Sequence, residues 1–428
     1  MRRMQWVAIW LVTAAIALNY IDRSTLAIAN VTIRQEFGIS ATAIGALQSF
    51  WSLTYACFQI PVGFALDRLG PRYLIGFALV AWSAAQAAGG LAVSYTQLMW
   101  ARVALGATES PAFPGAVRIT SDWFDIKDRG RPTGLYNAGG SIGPAIAPPL
   151  LTGLMLGFGW RTMFVAMGIA GLLGALVWFK LYRDPAKMEL NPQDVAYLAD
   201  NRANQAPVEF RNWGRLFRHR SVWGLTLGAF CSGYAIWMYQ TWLPAYLEMQ
   251  QHISIAKTGF LAMIPLIFSV LGALAGGWIT DWFAKSGMEI IASRRLPCIL
   301  GLLASGAFTI SATMAGNATQ AVILISAAMF FLSVGVAGKW TLITAVAPQS
   351  YATSVASIQN FGGYLGGTVS PLVTGMVVDL TGSFVIALAI GAGITVLAAV
   401  ILQVVVRTPV SLEELEPYIA ASTAPSGG

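Results

Sequence analysis

The sequence predicts an all-α membrane protein of twelve transmembrane helices in two pseudo-symmetric six-helix halves. Three observations predict it. The first is composition: of 428 residues, 56% are hydrophobic and 11% charged, with a mean hydropathy of +0.64. A soluble domain carries about 25% charged residues. The second is length. The apolar residues fall into separate runs of about 20 residues or more, enough to cross ~30 Å of hydrocarbon at 1.5 Å per helical residue. The third is a repeat. Asn137-Ala-Gly139-Gly140-Ser-Ile-Gly143 followed by Pro148 recurs as Asn360-Phe-Gly362-Gly363-Tyr-Leu-Gly366 followed by Pro371. Identical spacing in the fifth and eleventh runs fits two halves with a site at their interface. Small residues at this spacing also let helices approach closely.

The runs read in order as spans at 5–31, 42–66, 73–94, 96–121, 132–157 and 161–182, then 221–247, 257–283, 295–315, 319–346, 352–378 and 383–407. The first follows Met-Arg-Arg-Met and is too long for a signal-peptide core, so it is expected to remain as a helix. One long polar stretch separates the halves. This gives an N-terminal half at 1–182, a linker at 183–220, a C-terminal half at 221–407 and a tail at 408–428. In the linker, Asn191-Pro192-Gln193-Asp194 has the order of a helix start: cap, proline at the first helical position, acid in the first turn. Ser411-Leu412-Glu413-Glu414 is suited to cap a short helix in the tail. With the N-terminus inside, Arg2, Arg3, Arg68, Arg72, Lys127, Arg129 and Arg407 join the linker cations on the inner side, and Arg34, Arg161 and Lys257 remain outside. That asymmetry predicts a multi-pass protein of the inner membrane with both termini cytoplasmic. The net charge of +7 therefore belongs to loops and needs no nucleic-acid partner. Cys57, Cys231 and Cys298 lie in apolar runs. With His219 and His252 they offer no spacing for a disulfide framework or a metal, and no cofactor is expected.

Ionisable residues inside spans carry the functional signal, because a charge at bilayer depth is costly unless it meets a partner or a water-filled cavity. The first span holds Asn19, Tyr20, Asp22 and Arg23; the fourth holds Arg102 and Glu109. Arg102 and Glu109, seven apart, share a helix face about 10 Å apart along the axis. Asp22 and Arg102 come to similar depth, with Glu109 nearer the middle of the bilayer. A buried acid beside arginines is suited to carry a proton, and an arginine there to hold an anion. The structural alternative is a static Asp22–Arg102 salt bridge. Tyr55, Gln59, Asn137, Tyr239 and Asn360 are further lining candidates, since each offers donors or acceptors to a hydroxylated ligand; helix–helix hydrogen bonding is the alternative for each. Lys339 lies about 30 Å along the tenth span. It either snorkels to the inner surface or turns its ammonium into the cavity as a second cation, which suits a substrate with two acidic groups.

Gly63-Phe-Ala-Leu-Asp67-Arg68-Leu-Gly70-Pro-Arg72 resembles the cytoplasmic loop motif of the major facilitator superfamily, with a degenerate copy at Gly277-Trp-Ile-Thr-Asp281. The resemblance narrows through Tyr20-Ile-Asp22-Arg23, Tyr55-Ala-Cys-Phe-Gln59-Ile-Pro61, Glu109-Ser-Pro-Ala-Phe-Pro114 and Trp237-Met-Tyr-Gln-Thr-Trp242. These look like the anion:cation symporter family and its bacterial sugar-acid transporters. The resemblance implies the major facilitator fold and a monomeric, proton-coupled symporter that imports a small organic anion, a sugar acid or dicarboxylate, by alternating access. It implies that Asp22 and Glu109 carry the coupling protons, that Arg23 holds the substrate carboxylate, and that Asp67, Arg68 and Arg72 gate the cytoplasmic mouth. Two positions depart from the pattern of the galactonate-transporting members: Gly140 stands where a Gln is usual, and Lys339 where no cation is. An organic-phosphate or anion exchanger of the same fold is the nearest alternative. An intramembrane enzyme is the more distant one, without paired metal ligands or a Ser–His pair at membrane depth to support it.

Overall fold

A computed structural model describes residues 2–125, 128–185, 188, 192, 194, 197, 213–348 and 351–415, and among these every regular element is a helix. The chain runs α1 (Arg2–Phe37), α2 (Ala41–Gly90), α3 (Tyr95–Glu109), α4 (Ala112–Trp123), α5 (Gly130–Leu181) and α6 (Trp213–Leu216). It continues through α7 (Arg220–Met249), α8 (Ile255–Lys285), α9 (Ile290–Thr313), α10 (Ala318–Val346), α11 (Ala352–Thr381), α12 (Val385–Val405) and α13 (Leu412–Leu415).

Two of these helices each hold two spans. α2 breaks at Gly70 (φ 72°, ψ 163°) and α5 at Gly159 (φ 82°, ψ 161°). A left-handed φ turns the chain sharply and is open to glycine without strain. The predicted fourth span is instead two helices. Pro111 has no N–H to give the carbonyl of Ala107, four residues back, so the ladder stops there. Ser110 Oγ donates to that same carbonyl at 2.7 Å and satisfies it. Among the described residues, eight helices are long and apolar enough to cross a membrane by length and composition, one of them the 52-residue α5. Counting both parts of α5, the first part of α2, the α3–α4 pair and α7 brings the spans to twelve. The exposed faces of these helices carry large apolar side chains such as Trp10, Phe77, Leu176 and Trp278, as lipid contact requires and water does not.

The chain forms two compact units. Unit 1 comprises Met1–Ala206, Tyr239–Ile264 and Thr368–Phe384; unit 2 comprises Pro207–Met238, Pro265–Gly367 and Val385–Gly428. The sequence repeat reappears in both as the same packing contact. In unit 1, a Cβ at Gly139 or Gly143 would strike the carbonyl oxygens of Thr13 and Ala17 at 2.7 Å. In unit 2, Gly362 meets Thr226 O at 2.6 Å and Gly366 meets Phe230 O. The glycines thus let the fifth span close on the first and the eleventh on the seventh. In unit 1 the Asp379 carboxylate accepts from Ala41 N, Thr42 N and Thr42 Oγ1 at 2.6–2.8 Å, filling orphan donors at the N-terminus of α2. In unit 2, Glu414 N donates to Ser411 Oγ at 3.2 Å, capping α13 as the sequence suggests. The proposed helix start at Asn191-Pro192-Gln193-Asp194 lies outside the described residues at Asn191 and Gln193.

Candidate functional site

The polar centre of unit 1 is built by three helices. Gly106 of α3 sits directly against the Trp51 carbonyl and the Thr54 hydroxyl of α2, an approach closed to any larger residue. Three residues on, one side-chain step along that face, Glu109 then meets Trp51. Its Oε2 accepts from Trp51 Nε1 at 3.0 Å and from Arg23 Nε of α1 at 3.2 Å. Asn19, Asp22, Arg23, Tyr55, Arg102 and Glu109 are all buried, the most exposed being Arg23 at 6%.

Arg23 is held as a caged cation. Its guanidinium carbon lies 4.4 Å from the ring centre of Tyr20, 4.6 Å from Trp51 and 4.7 Å from Tyr55. Such contacts stabilise a desolvated cation by about 2 kcal/mol, and Glu109 supplies the opposite charge. Arg102 is placed differently: its Nη2 donates to Thr25 Oγ1 at 3.1 Å, Gln86 Nε2 donates to the same oxygen at 3.0 Å, and its guanidinium faces Phe164 at 5.3 Å. The Asp22–Arg102 salt bridge, the static alternative, does not form. Neither Asp22 oxygen receives a hydrogen bond from the described residues, although Arg102, Arg23 and Glu109 all lie within electrostatic range. The reason is the direction of helical side chains, which lean towards their own N-terminus. α1 and α3 run in opposite senses, so Arg23 leans one way to Glu109 and Arg102 the other way to Thr25.

The remaining predicted residues are dispersed. In unit 1, Gln59 is half-buried one turn beyond Tyr55, Tyr239 is buried, and Asn137 is exposed with its amide donating to Thr133 O at 2.8 Å. In unit 2, Asn360 is half-buried. Lys339 is buried, 6% exposed, and its Nζ donates to Ser232 Oγ at 2.7 Å; it does not snorkel. At the loop motif, Arg68 is exposed, and Arg72 Nη2 donates to Phe179 O at 3.3 Å while Trp178 Nε1 donates to Arg72 O at 2.9 Å. The Asp67 side chain lies outside the described residues. Its counterpart Asp281 accepts from Arg294 at 3.0 Å.

Sequence reasoning missed Trp51, Thr25 and Gln86, and named Tyr20 only as part of a motif. A signal existed for the cage: Tyr20 is three residues before Arg23, and Trp51 four before Tyr55, so each pair shares a helix face. Thr25 and Gln86 gave none, because either is ordinary helix–helix hydrogen bonding.

A family model described as Major Facilitator Superfamily matches residues 12–371. The chain is 40% identical over 412 residues to a probable L-galactonate transporter of Escherichia coli (strain K12), covering 96% of this chain and 91% of that one. It is 31% identical over 388 residues to the D-galactonate transporter of Escherichia coli O6:H1, covering 87% and 89%. Among solved structures it resembles a bacterial homologue of the human lysosomal transporter Spinster in an inward-facing, unoccupied conformation. The TM-score is 0.76 at 20% identity, over 95% of this chain and 96% of that one, a likeness of fold.

Proposed function

The chain belongs to the major facilitator superfamily, a multi-pass membrane transporter and not an enzyme, and we propose that it imports a sugar acid together with protons by alternating access. The observation that carries this reading is the Arg23–Glu109 pair inside an aromatic cage. Arg23 is a planar donor fork suited to a carboxylate, and Glu109 engages it at Nε. A proton on Glu109 removes the charge that competes for the fork, so the substrate carboxylate takes its place. Proton and anion then favour each other's binding, and by linkage the effect is reciprocal. Asp22, with no donor on either oxygen among the described residues, is the second proton carrier of this scheme. Tyr55, Gln59, Arg102, Asn137, Tyr239, Lys339 and Asn360 are the further substrate contacts of this reading.

The rest of the scheme follows the sequence. Residues 1–182 and 221–407 are the two moving halves, 183–220 the linker and 408–428 the tail. The Lys and Arg asymmetry supports cytoplasmic termini in an inner membrane, with Asp67, Arg68 and Arg72 gating the cytoplasmic mouth. The relatives named as galactonate transporters support the substrate class.

The test is uptake of galactonate into proteoliposomes with an imposed pH gradient. Accumulation that needs the gradient supports symport. Uptake that instead needs anion inside the vesicles turns the reading into exchange. Asp67→Asn should slow turnover with little change in equilibrium affinity; unchanged turnover removes its gating role.

A further inference from the structure

Unit 1 takes in two stretches from the C-terminal half of the sequence, Tyr239–Ile264 and Thr368–Phe384. They hold the end of α7, the start of α8 and the end of α11, at the helix ends that the Lys and Arg asymmetry puts outside. Each half is tied within itself there. In the N-terminal half, Glu36 of α1 pairs with Arg161 and accepts from Trp160 Nε1 at 2.6 Å, and Arg161 donates to Ala92 O at 2.9 Å. In the C-terminal half, Trp242 Nε1 of α7 donates to Pro371 O of α11 at 3.2 Å, and Gln250 Oε1 accepts from Ser383 Oγ and Phe384 N, both at 3.2 Å.

The contact between these two blocks is of another kind. Its packing part is glycine against main chain: a Cβ at Gly45 would strike Pro371 O, and one at Gly375 would lie 2.5 Å from Ala41 O. Surfaces that meet in this way have no interlocking side chains to repack when they part. Its polar part is Asp379, which accepts from Ala41 N at 2.8 Å, Thr42 N at 2.7 Å and Thr42 Oγ1 at 2.6 Å. Arg34 Nη2 lies 3.9 Å from Asp379 Oδ1, and its Nη1 donates to Met249 Sδ at 3.2 Å. The Asp379 side chain is 26% exposed and that of Arg34 20%, so water can replace these bonds as they break. Asp379 also stands in the last turn of α11, which ends at Thr381. A carboxylate is disfavoured at the C-terminus of its own helix and favoured at the N-terminus of another. Asp379 therefore favours the joined arrangement over the parted one, the differential contact that sets a two-state equilibrium.

We propose that Asp379 is the outer gating residue of transport: bound to the N-terminus of α2, it holds the outer ends of the two halves together, and each cycle breaks and remakes this link. The proposal rests on the transporter reading above and adds the residues that close the outer mouth. Arg34 is eleven residues beyond Arg23, about 16 Å along α1, so the link is separate from the Arg23–Glu109 pair.

A disulfide distinguishes a gate from a static cap. Thr42→Cys with Asp379→Cys joins two side chains already in contact. In proteoliposomes, oxidation of this pair should reduce galactonate uptake to that of empty vesicles, and a thiol reductant should restore it. The native protein, with its three cysteines, should keep its uptake under the same oxidant. Undiminished uptake by the cross-linked protein overturns the proposal, since a gate must open. A second measurement needs no substrate. Asn30 is buried, one turn inward of Arg34 on the same face of α1, and is uncovered when the halves part. A membrane-impermeant maleimide applied from outside should label Asn30→Cys slowly. Adding Asp379→Asn should raise that rate about fivefold, the equivalent of one charge at a helix terminus. An unchanged rate overturns the proposal. If the native protein takes up no galactonate, the sugar-acid reading fails; in that case, or where the reduced pair is itself inactive, the labelling rate decides.

Discussion

The two units are built on one packing scheme and differ in what they bury. Gly139 and Gly143 close a helix pair in unit 1 as Gly362 and Gly366 do in unit 2. Into that common scaffold unit 1 places Arg23, Arg102, Asp22 and Glu109, two charges of each sign, whereas unit 2 places Lys339 against a serine. A cluster of balanced charges changes state by moving a proton. A lone cation changes state when an anion arrives. The duplicated scaffold therefore carries different buried charges in its two copies, because scaffold and charge are set by different residues.

The largest effect should follow from breaking the balance in unit 1. Arg23→Ala leaves Glu109 buried without its cation, and breaking such a pair costs about 3–5 kcal/mol. Anion affinity should fall on the order of 100-fold, since a charge-assisted bond contributes up to about 3 kcal/mol. Arg23→Lys should restore only part of it, lacking the planar fork. Calorimetric titration with galactonate checks both, and full affinity in Arg23→Ala removes the arginine from the site.

Glu109→Gln and Asp22→Asn separate the proton from the anion. Accumulation driven by a pH gradient should be lost in both, while substrate counterflow survives in at least one, because Arg23 remains. Native gradient-driven accumulation in both variants would end the proton-coupling role.

The shared scaffold makes a smaller and symmetrical prediction. Gly139→Ala and Gly362→Ala each press a methyl group against a carbonyl oxygen under 3 Å away, an overpacking of about 1–3 kcal/mol. Thermal unfolding in detergent should show similar losses in the two. A large difference between them breaks the packing equivalence of the units.

Arg102→Ala should have the mildest effect on affinity. It loses the bond to Thr25, with a net value of about 1 kcal/mol, and should reduce turnover more than substrate binding. Equal loss of affinity in Arg102→Ala and Arg23→Ala shows that the two arginines share one role.

Much of this was legible before any coordinates. Hydropathy located the spans, since only helices long enough to cross the bilayer satisfy their own backbone there. The Asn-Gly-Gly-Gly-Pro repeat marked equivalent helices. Asp22, Arg23, Arg102, Glu109 and Lys339 stood out as charges in apolar runs. The break between α3 and α4 was written in Ser110-Pro111 but was passed over, because hydropathy counts apolar residues and not missing donors. The aromatic cage was hidden because Tyr20 and Trp51 read equally well as packing residues.

By itself the sequence determined which residues enter the membrane and which of them carry charge, because span length and hydropathy are sums along the chain. Only the tertiary structure decided how those charges pair. Arg23 takes Glu109, Arg102 takes Thr25, and Lys339 stays inside against Ser232. Those outcomes turn on side-chain lean and on glycine-permitted helix spacing, where a shift of one turn, 5.4 Å, exchanges one partner for another.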